Sequence, residues 1–237
     1  MSGHSKLPLR PLYNGAMIAD NVAAQTVSSR DSGAVAKAAT DIRSLILQRH
    51  LLPGEQVRQE DLARQLGTSR GPIREALQVL AAEGVLRYER HRGYFVTRFT
   101  ADEMRQLYVI RELLESEVLK SLPTVSDADI TELRRINEQI RSGGDDLDAV
   151  VTLNKQFHDL IFEPSPLNVL KAELDHIGRM TTAYQSLSIN ALTDWELLAD
   201  DHDKIIEALS AGDRDELVHM SRIHRDRSVA RLIPILR

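Results

Sequence analysis

Residues 68–86 read TSRGPIREALQVLAAEGVL, and the fold of the chain turns on them. A small polar turn leads into a segment whose apolar residues, Ile73, Leu77, Leu80 and Ala81, fall on one helical face. Ser69 stands where an N-cap belongs, and Pro72 falls in the first turn, where its missing N–H costs little. Gly84 stops the helix. Arg70 and Arg74 lie four apart, hence together on the other face. The stretch predicts a helix with one apolar and one cationic side.

The neighbours give it a context. Upstream, Val35, Ala38, Ala39, Ile42, Leu45 and Ile46 have helical spacing over 34–50, and Leu52-Pro53-Gly54 ends that run in a turn. Residues 59–66 predict a second short helix, closed by Gly67. Downstream, 85–89 and 94–97 are strand-like, with His91-Arg92-Gly93 as a hairpin tip. Three helices and a two-stranded wing, over 34–99, are the order of a winged helix-turn-helix. In such a motif the start of the last helix enters the DNA major groove. Thr68, Ser69 and Gly71 are small enough to let the backbone approach phosphates, and Ser69 with the free helix N–H groups can bind them. The arginine fork of Arg70 and Arg74 matches guanine or phosphate. The plain alternative pairs these arginines with Glu75 or Glu83 on a solvated surface.

After Phe99 the pattern changes. Thr100 and Glu103 form a capping box. Helical periodicity follows over 101–121, 127–141, 146–162, 166–188, 194–210 and 213–235, with start signals at Ser126 with Asp129, at Thr193, and at Gly212-Asp213. Residues 100–237 therefore predict an all-α bundle of six to seven helices, and the chain as a whole is mainly α. Residues 1–33 carry no such period and predict a mobile arm, with a stretch near 17–27 able to pack as an extra helix.

Charge separates the two parts. Residues 31–100 carry 11 Lys and Arg against 8 Asp and Glu, whereas 101–237 carry 16 against 26, so the net −5 hides a basic front and an acidic back. With no cysteine, disulfides and thiolate metal sites are excluded. No apolar run approaches the roughly 18–20 residues that span a bilayer, and there is no signal core, so no membrane association and a cytoplasmic location are expected.

The bundle carries a second constellation. Asn154 and His158 stand four apart on one helical face, and His202 and His224 come from two other helices. Three imidazoles and one oxygen donor suit Zn²⁺, Ni²⁺ or another borderline divalent ion. The remaining His4, His50, His176 and His219 are read as ordinary surface or core residues. A hydrolytic metal site would need a general base, and Asp159, Asp201 and Asp203 point to faces other than those of the neighbouring histidines. An enzyme is not expected.

Both halves resemble known families. From Ile42 through Val96, "LLPGEQV", "EDLARQLGTSRGPIREALQVLAAEGVL" and "HRGYFV" are similar to the DNA-binding domain of GntR-type bacterial transcription regulators. The resemblance implies that Ser69, Arg70, Gly71 and Arg74 meet the major groove and that His91, Arg92 and Gly93 at the wing tip enter the minor groove. Glu60 and Asp61 stand where some relatives carry an arginine, so that contact is not expected here. The segments "IRELLE", "NKQFH", "HDKIIEALSAGD" and "RIH" resemble the FCD ligand-binding domain fused to one large GntR subfamily. That resemblance implies a metal held by Asn154, His158, His202 and His224, and a small carboxylate effector at its open positions. The first ligand is often Asp in the family; Asn154 donates more weakly and leaves the site one unit more positive. Arg111 and Arg179 are the candidate carboxylate partners, unless they pair only with Glu115 and Asp175. The expected protein is a homodimeric regulator of double-stranded operator DNA, a repressor, switched by a small organic acid through the 97–103 connection. The alternatives are the same regulator with a structural metal, and a metal-dependent hydrolase with an accessory DNA-binding domain.

Overall fold

The computed structural model describes residues 29–143, 146–181, 183, 184, 187 and 194–236. Helix α1 spans Ser29–Leu47, α2 Gln59–Gln65 and α3 Arg70–Ala82. The predicted arm and the stretch near 17–27 lie outside the described residues, apart from the end of the arm, where α1 begins five residues before the expected Ala34. Apolar spacing could not place that start, because Ser29, Arg30, Asp31, Ser32 and Gly33 offer no apolar stripe. Helix α3 buries Ile73, Ala76, Leu77 and Leu80 against α1 and α2, and each fully buried Leu or Ile contributes about 1.5–3 kcal/mol. Ser69 occupies the N-cap of α3, but its side chain makes no capping hydrogen bond, so its hydroxyl is not used within the helix.

The wing is larger than expected. Strands β2 (Leu86–Glu89) and β3 (Gly93–Val96) form the hairpin, with Tyr88 opposite Tyr94. A third strand, β1 (Gln56–Val57), pairs antiparallel with β3 on its other edge, giving the order β1-β3-β2. Two residues leave no period in the sequence, and β1 exists only through that distant pairing. The hairpin turn is shifted by one: Arg90, His91 and Arg92 turn, and Gly93 opens β3. His91 and Gly93 both have positive φ, 63° and 90°, which glycine adopts freely and histidine at some cost.

Six long helices follow among the described residues: α4 Ala101–Lys120, α5 Asp127–Arg141, α6 Leu147–Phe162, α7 Asn168–Met180, α8 Asp194–Ala211 and α9 Arg214–Ile235. The Thr100–Glu103 capping box forms, and Ser126, Asp146 and Asp213 cap α5, α6 and α9. Helix α7 ends at Met180, short of the predicted 188; Ala183, Tyr184 and Leu187 are again helical. The predicted start at Thr193 lies outside the described residues.

Two apolar clusters organise the chain. One lies inside the bundle, from Leu119, Leu133, Ile140, Phe157, Ile205 and Leu217. The other is shared by the two parts: Ile42, Ile46, Leu77 and Leu86 pack together with Met104, Tyr184 and Leu232. Tyr184 also accepts a hydrogen bond at 2.7 Å from the Phe99 backbone N–H, beside the connection. The winged helix and the bundle thus share an apolar core beside the connection.

Candidate DNA-reading surface and metal centre

At the DNA end, Ser69, Arg70, Gly71 and Arg74 are all exposed at the start of α3. Arg70 lies 2.9 Å from Glu60 of α2, with both side chains about two-thirds exposed. A pair so exposed is worth at most about 1 kcal/mol, so a phosphate can displace it. Glu60, from another helix, is thus the partner, in place of the Glu75 or Glu83 considered from the sequence. Arg74 makes no ion pair among the described residues. On the wing, Arg92 folds back onto Glu89 at 2.5 Å and lies over the Phe95 ring. Gln56 of β1 donates to the Arg92 carbonyl at 2.5 Å and ties down the tip. The role of Gln56 follows from β1, and no sequence signal marks it.

In the bundle, the three predicted histidines meet. One ring nitrogen from each of His158, His202 and His224 lies within 4.8 Å of the others. The Nε2 atoms of His158 and His224 are 3.2 Å apart. Two nitrogens bound to one ion at about 2.1 Å stand roughly 3.0 Å apart at a right angle and 3.4 Å at a tetrahedral one, so this spacing fits a shared ion. His202 is fully buried and stacks on Phe157, with ring centroids 3.8 Å apart.

The donor set can be worked out from the surroundings. Asn137 donates from Nδ2 to the Ala199 carbonyl at 2.9 Å and to Asp203 at 2.7 Å. Its Oδ1 must then accept, and His202 Nδ1, at 3.1 Å, is the donor. That fixes the tautomer and leaves the His202 Nε2 lone pair free; this atom is buried with no hydrogen-bond partner. Asn154 Oδ1 is likewise a buried, unpartnered acceptor, one turn before His158. Unmet buried acceptors are costly, and a cation would satisfy these. Burial pushes the imidazoles of His158 and His202 well below their ordinary range; His224 adds to this for both, His158 adds to it for His202, and Arg111 for His158. This favours the neutral form of both rings, the form that ligates. His50 and His219 are exposed and take no part.

His158, His224 and Asn154 open onto a cavity of about 900 Å³, which Arg111 and Arg179 also line. Arg111 bonds Glu115 at 2.5 Å, and Arg225 binds the same carboxylate. Burial alone would raise the Glu115 carboxyl, but the two guanidinium groups outweigh it and hold it below its ordinary range. Arg179 pairs with Asp175. Both predicted arginines thus make their local pairs and still face the cavity. Asn137 and Arg225 are functional neighbours that the sequence reading missed. Asn137 had a visible signal, as the polar residue on the apolar face Ile130, Leu133, Ile136, Ile140 of α5.

A winged helix with an exposed cationic recognition helix, packed on a helical bundle that holds a cavity of ligand size, defines a DNA-binding transcription regulator with a second, all-α domain. The chain belongs to the GntR family of bacterial regulatory proteins, in the group that carries an FCD domain. The gntR-family model matches residues 34–96 and the FCD domain model residues 106–227. The chain is 28% identical to the gluconate operon transcriptional repressor of Bacillus licheniformis over 76% of each chain. It is 27% identical to the HTH-type transcriptional regulator YdhC of Bacillus subtilis, over 73% of this chain and 80% of that one. The solved structure of McbR/YncC of E. coli shares the fold, with a TM-score of 0.76 at 20% identity, covering 90% of this chain and all of the other. No described helix is long and apolar enough to cross a membrane.

Proposed function

We propose that this regulator is a homodimeric repressor whose hold on operator DNA is controlled by a small organic acid bound at a divalent metal centre. The observation that carries the reading is the meeting of His158, His202 and His224, with His202 Nε2 a buried acceptor left unpartnered, at a cavity that His158, His224 and the equally unpartnered Asn154 line together with several arginines. Asn154, His158, His202 and His224 would hold the ion, with zinc or nickel best matched to three imidazoles and one neutral oxygen. The ion would supply open coordination positions to a carboxylate. Arg111 and Arg179 would orient that acid, and the rest of this chain's chemistry is binding rather than turnover. Repression is supported by the repressor names of relatives such as the gluconate operon repressor, and action on chromosomal DNA would place the protein in the cytoplasm.

At the other end, Ser69, Arg70, Gly71 and Arg74 would read the major groove, and His91, Arg92 and Gly93 would follow the minor groove. Dimerisation is supported by Val109, Ile110 and Leu113, a large exposed apolar stripe on α4. Two antiparallel copies of α4 centred on that stripe set Asp102 of one opposite Lys120 of the other, a self-complementary two-fold contact. Two reading heads would then meet two half-sites. Elemental analysis tests the metal: wild type is expected to carry one ion per chain and His158→Ala far less, whereas equal content would remove the site. Operator titration tests the reader. Arg74→Ala should weaken binding by about 1–3 kcal/mol if it contacts a base, and unchanged affinity would refute the assignment.

A further inference from the structure

The metal-side cavity does not end within the bundle. Arg43 of α1 and Glu83, the C-cap of the recognition helix α3, line it as well. Arg43 donates from Nη2 to Glu83, and both side chains are about three-quarters buried. The Arg43 Nε–H is buried and has no hydrogen-bond partner. The side edge of a guanidinium, Nε with Nη2, is a two-donor fork shaped for one carboxylate; Glu83 fills half of it. Arg179 pairs with Asp175 through Nη1, outside that edge, and it too has a buried Nε–H left over. The two arginines approach the same junction. Met180, next to Arg179, packs on Gly84, next to Glu83, so closely that a Cβ at Gly84 would lie 3.0 Å from Met180 Cγ. The cavity's buried Arg111 and Arg225 share Glu115, and Arg225 keeps one buried Nη2 donor without a hydrogen-bond partner, 3.8 Å from Glu112; Arg43 and Arg179 are the two whose Nε–H is left over.

We propose that Arg43 and Arg179 form a second anion subsite, so that the effector is a small acid with two anionic groups. This rests on the effector reading above. One group is directed at the histidine end and the other at the Arg43 fork. The second group takes both fork donors and displaces Glu83, which holds only one. Glu83 caps the recognition helix, so the exchange removes the ion pair that ties α1 to the end of the DNA-reading element. The winged helix is then itself part of the effector site, and the signal need not travel through the 97–103 connection alone.

The test uses the metal-loaded full chain and two probe sets: malonate through adipate with phosphoglycolate, and acetate through hexanoate. Affinities are read by thermal shift and calorimetry. At least one dianion is expected to bind about tenfold or more tighter than the monocarboxylate of equal length, as a charge-assisted fork implies. Arg43→Met should erase that preference and leave monocarboxylate affinity unchanged, and Arg43→Lys should restore part of it. Glu83→Gln should raise dianion affinity, because the competitor for the fork is weakened. If monocarboxylates bind and dianions have no advantage, or if Arg43→Met keeps the advantage, the second subsite is refuted while the effector reading stands. If neither set binds, both fall.

Discussion

Replacing Asn137 with alanine tests how the metal centre is organised, without touching a proposed ligand. Three bonds are lost: to the Ala199 carbonyl, to Asp203 and from His202 Nδ1. Their costs differ. Ala199 lies inside α8 and keeps its helical hydrogen bond. Asp203 is half exposed and keeps its ion pair to Arg141 at 2.6 Å. His202 Nδ1–H is left buried with nothing, which costs about 1–3 kcal/mol, and the vacated amide volume adds about 1 kcal/mol. The metal-free protein should therefore lose roughly 2–4 kcal/mol in a urea titration and remain folded, within the usual 5–15 kcal/mol of a domain. Metal affinity should fall about 10–100-fold, because the imidazole is no longer held in the ligating tautomer and orientation. Asn137→Asp is the control: it keeps an acceptor for Nδ1–H, so affinity should largely survive even where stability drops through repulsion from Asp203. A competition titration against a metallochromic chelator measures both. If Asn137→Ala binds metal within twofold of wild type, the tautomer argument is wrong.

Other consequences follow from separate parts of the structure. Gly84 has φ +74° and faces Met180, so Gly84→Ala should lower stability by about 1–2 kcal/mol through the left-handed backbone and the crowded contact, read as a lower melting temperature; an unchanged melting temperature would mean that the junction is loose. Leu113→Lys on the exposed stripe of α4 should shift sedimentation toward monomer without altering the melting of the winged helix, whereas an intact dimer would place the interface elsewhere. Glu115 has a depressed carboxyl, so its contribution is present at neutral pH and is lost as pH falls below the ordinary glutamate value of about 4.3. Glu115→Gln should cost about 3 kcal/mol at pH 7 by leaving Arg111 and Arg225 less compensated and should show a shallower acid limb than wild type. A parallel shift at all pH values would contradict the pairing.

The sequence made some parts legible because their physics is local. Helix α3 announces itself through one apolar stripe and its stop, and the capping box at Thr100 states where the bundle begins. The histidine set was legible for a different reason: Asn154 and His158 share one helical face by spacing, and His202 and His224 joined them through the resemblance of their segments to the FCD domain. What stayed hidden depends on distant pairing. Strand β1 has two residues and exists because β3 lies beside it. Arg43 and Glu83 are 40 positions apart, and no local pattern links them. Glu115 and Arg225 are 110 apart, and their pairing turns part of the expected carboxylate site into an internal ion cluster. Asn137 is the intermediate case: its place on an apolar face marks it as buried, but only the packing of α5 against α8 shows that it serves His202.

The central claim, that the metal centre governs operator release, is tested most directly by operator titration in the presence of whichever carboxylate raises the melting temperature of the metal-loaded protein. Wild type should release the operator on addition of that acid when metal is bound and should not respond after the metal has been stripped. His202→Ala, which leaves the DNA-reading surface untouched, should bind the operator with near wild-type affinity and ignore the acid. Release of the operator by His202→Ala or by stripped protein at the wild-type acid concentration would contradict the account.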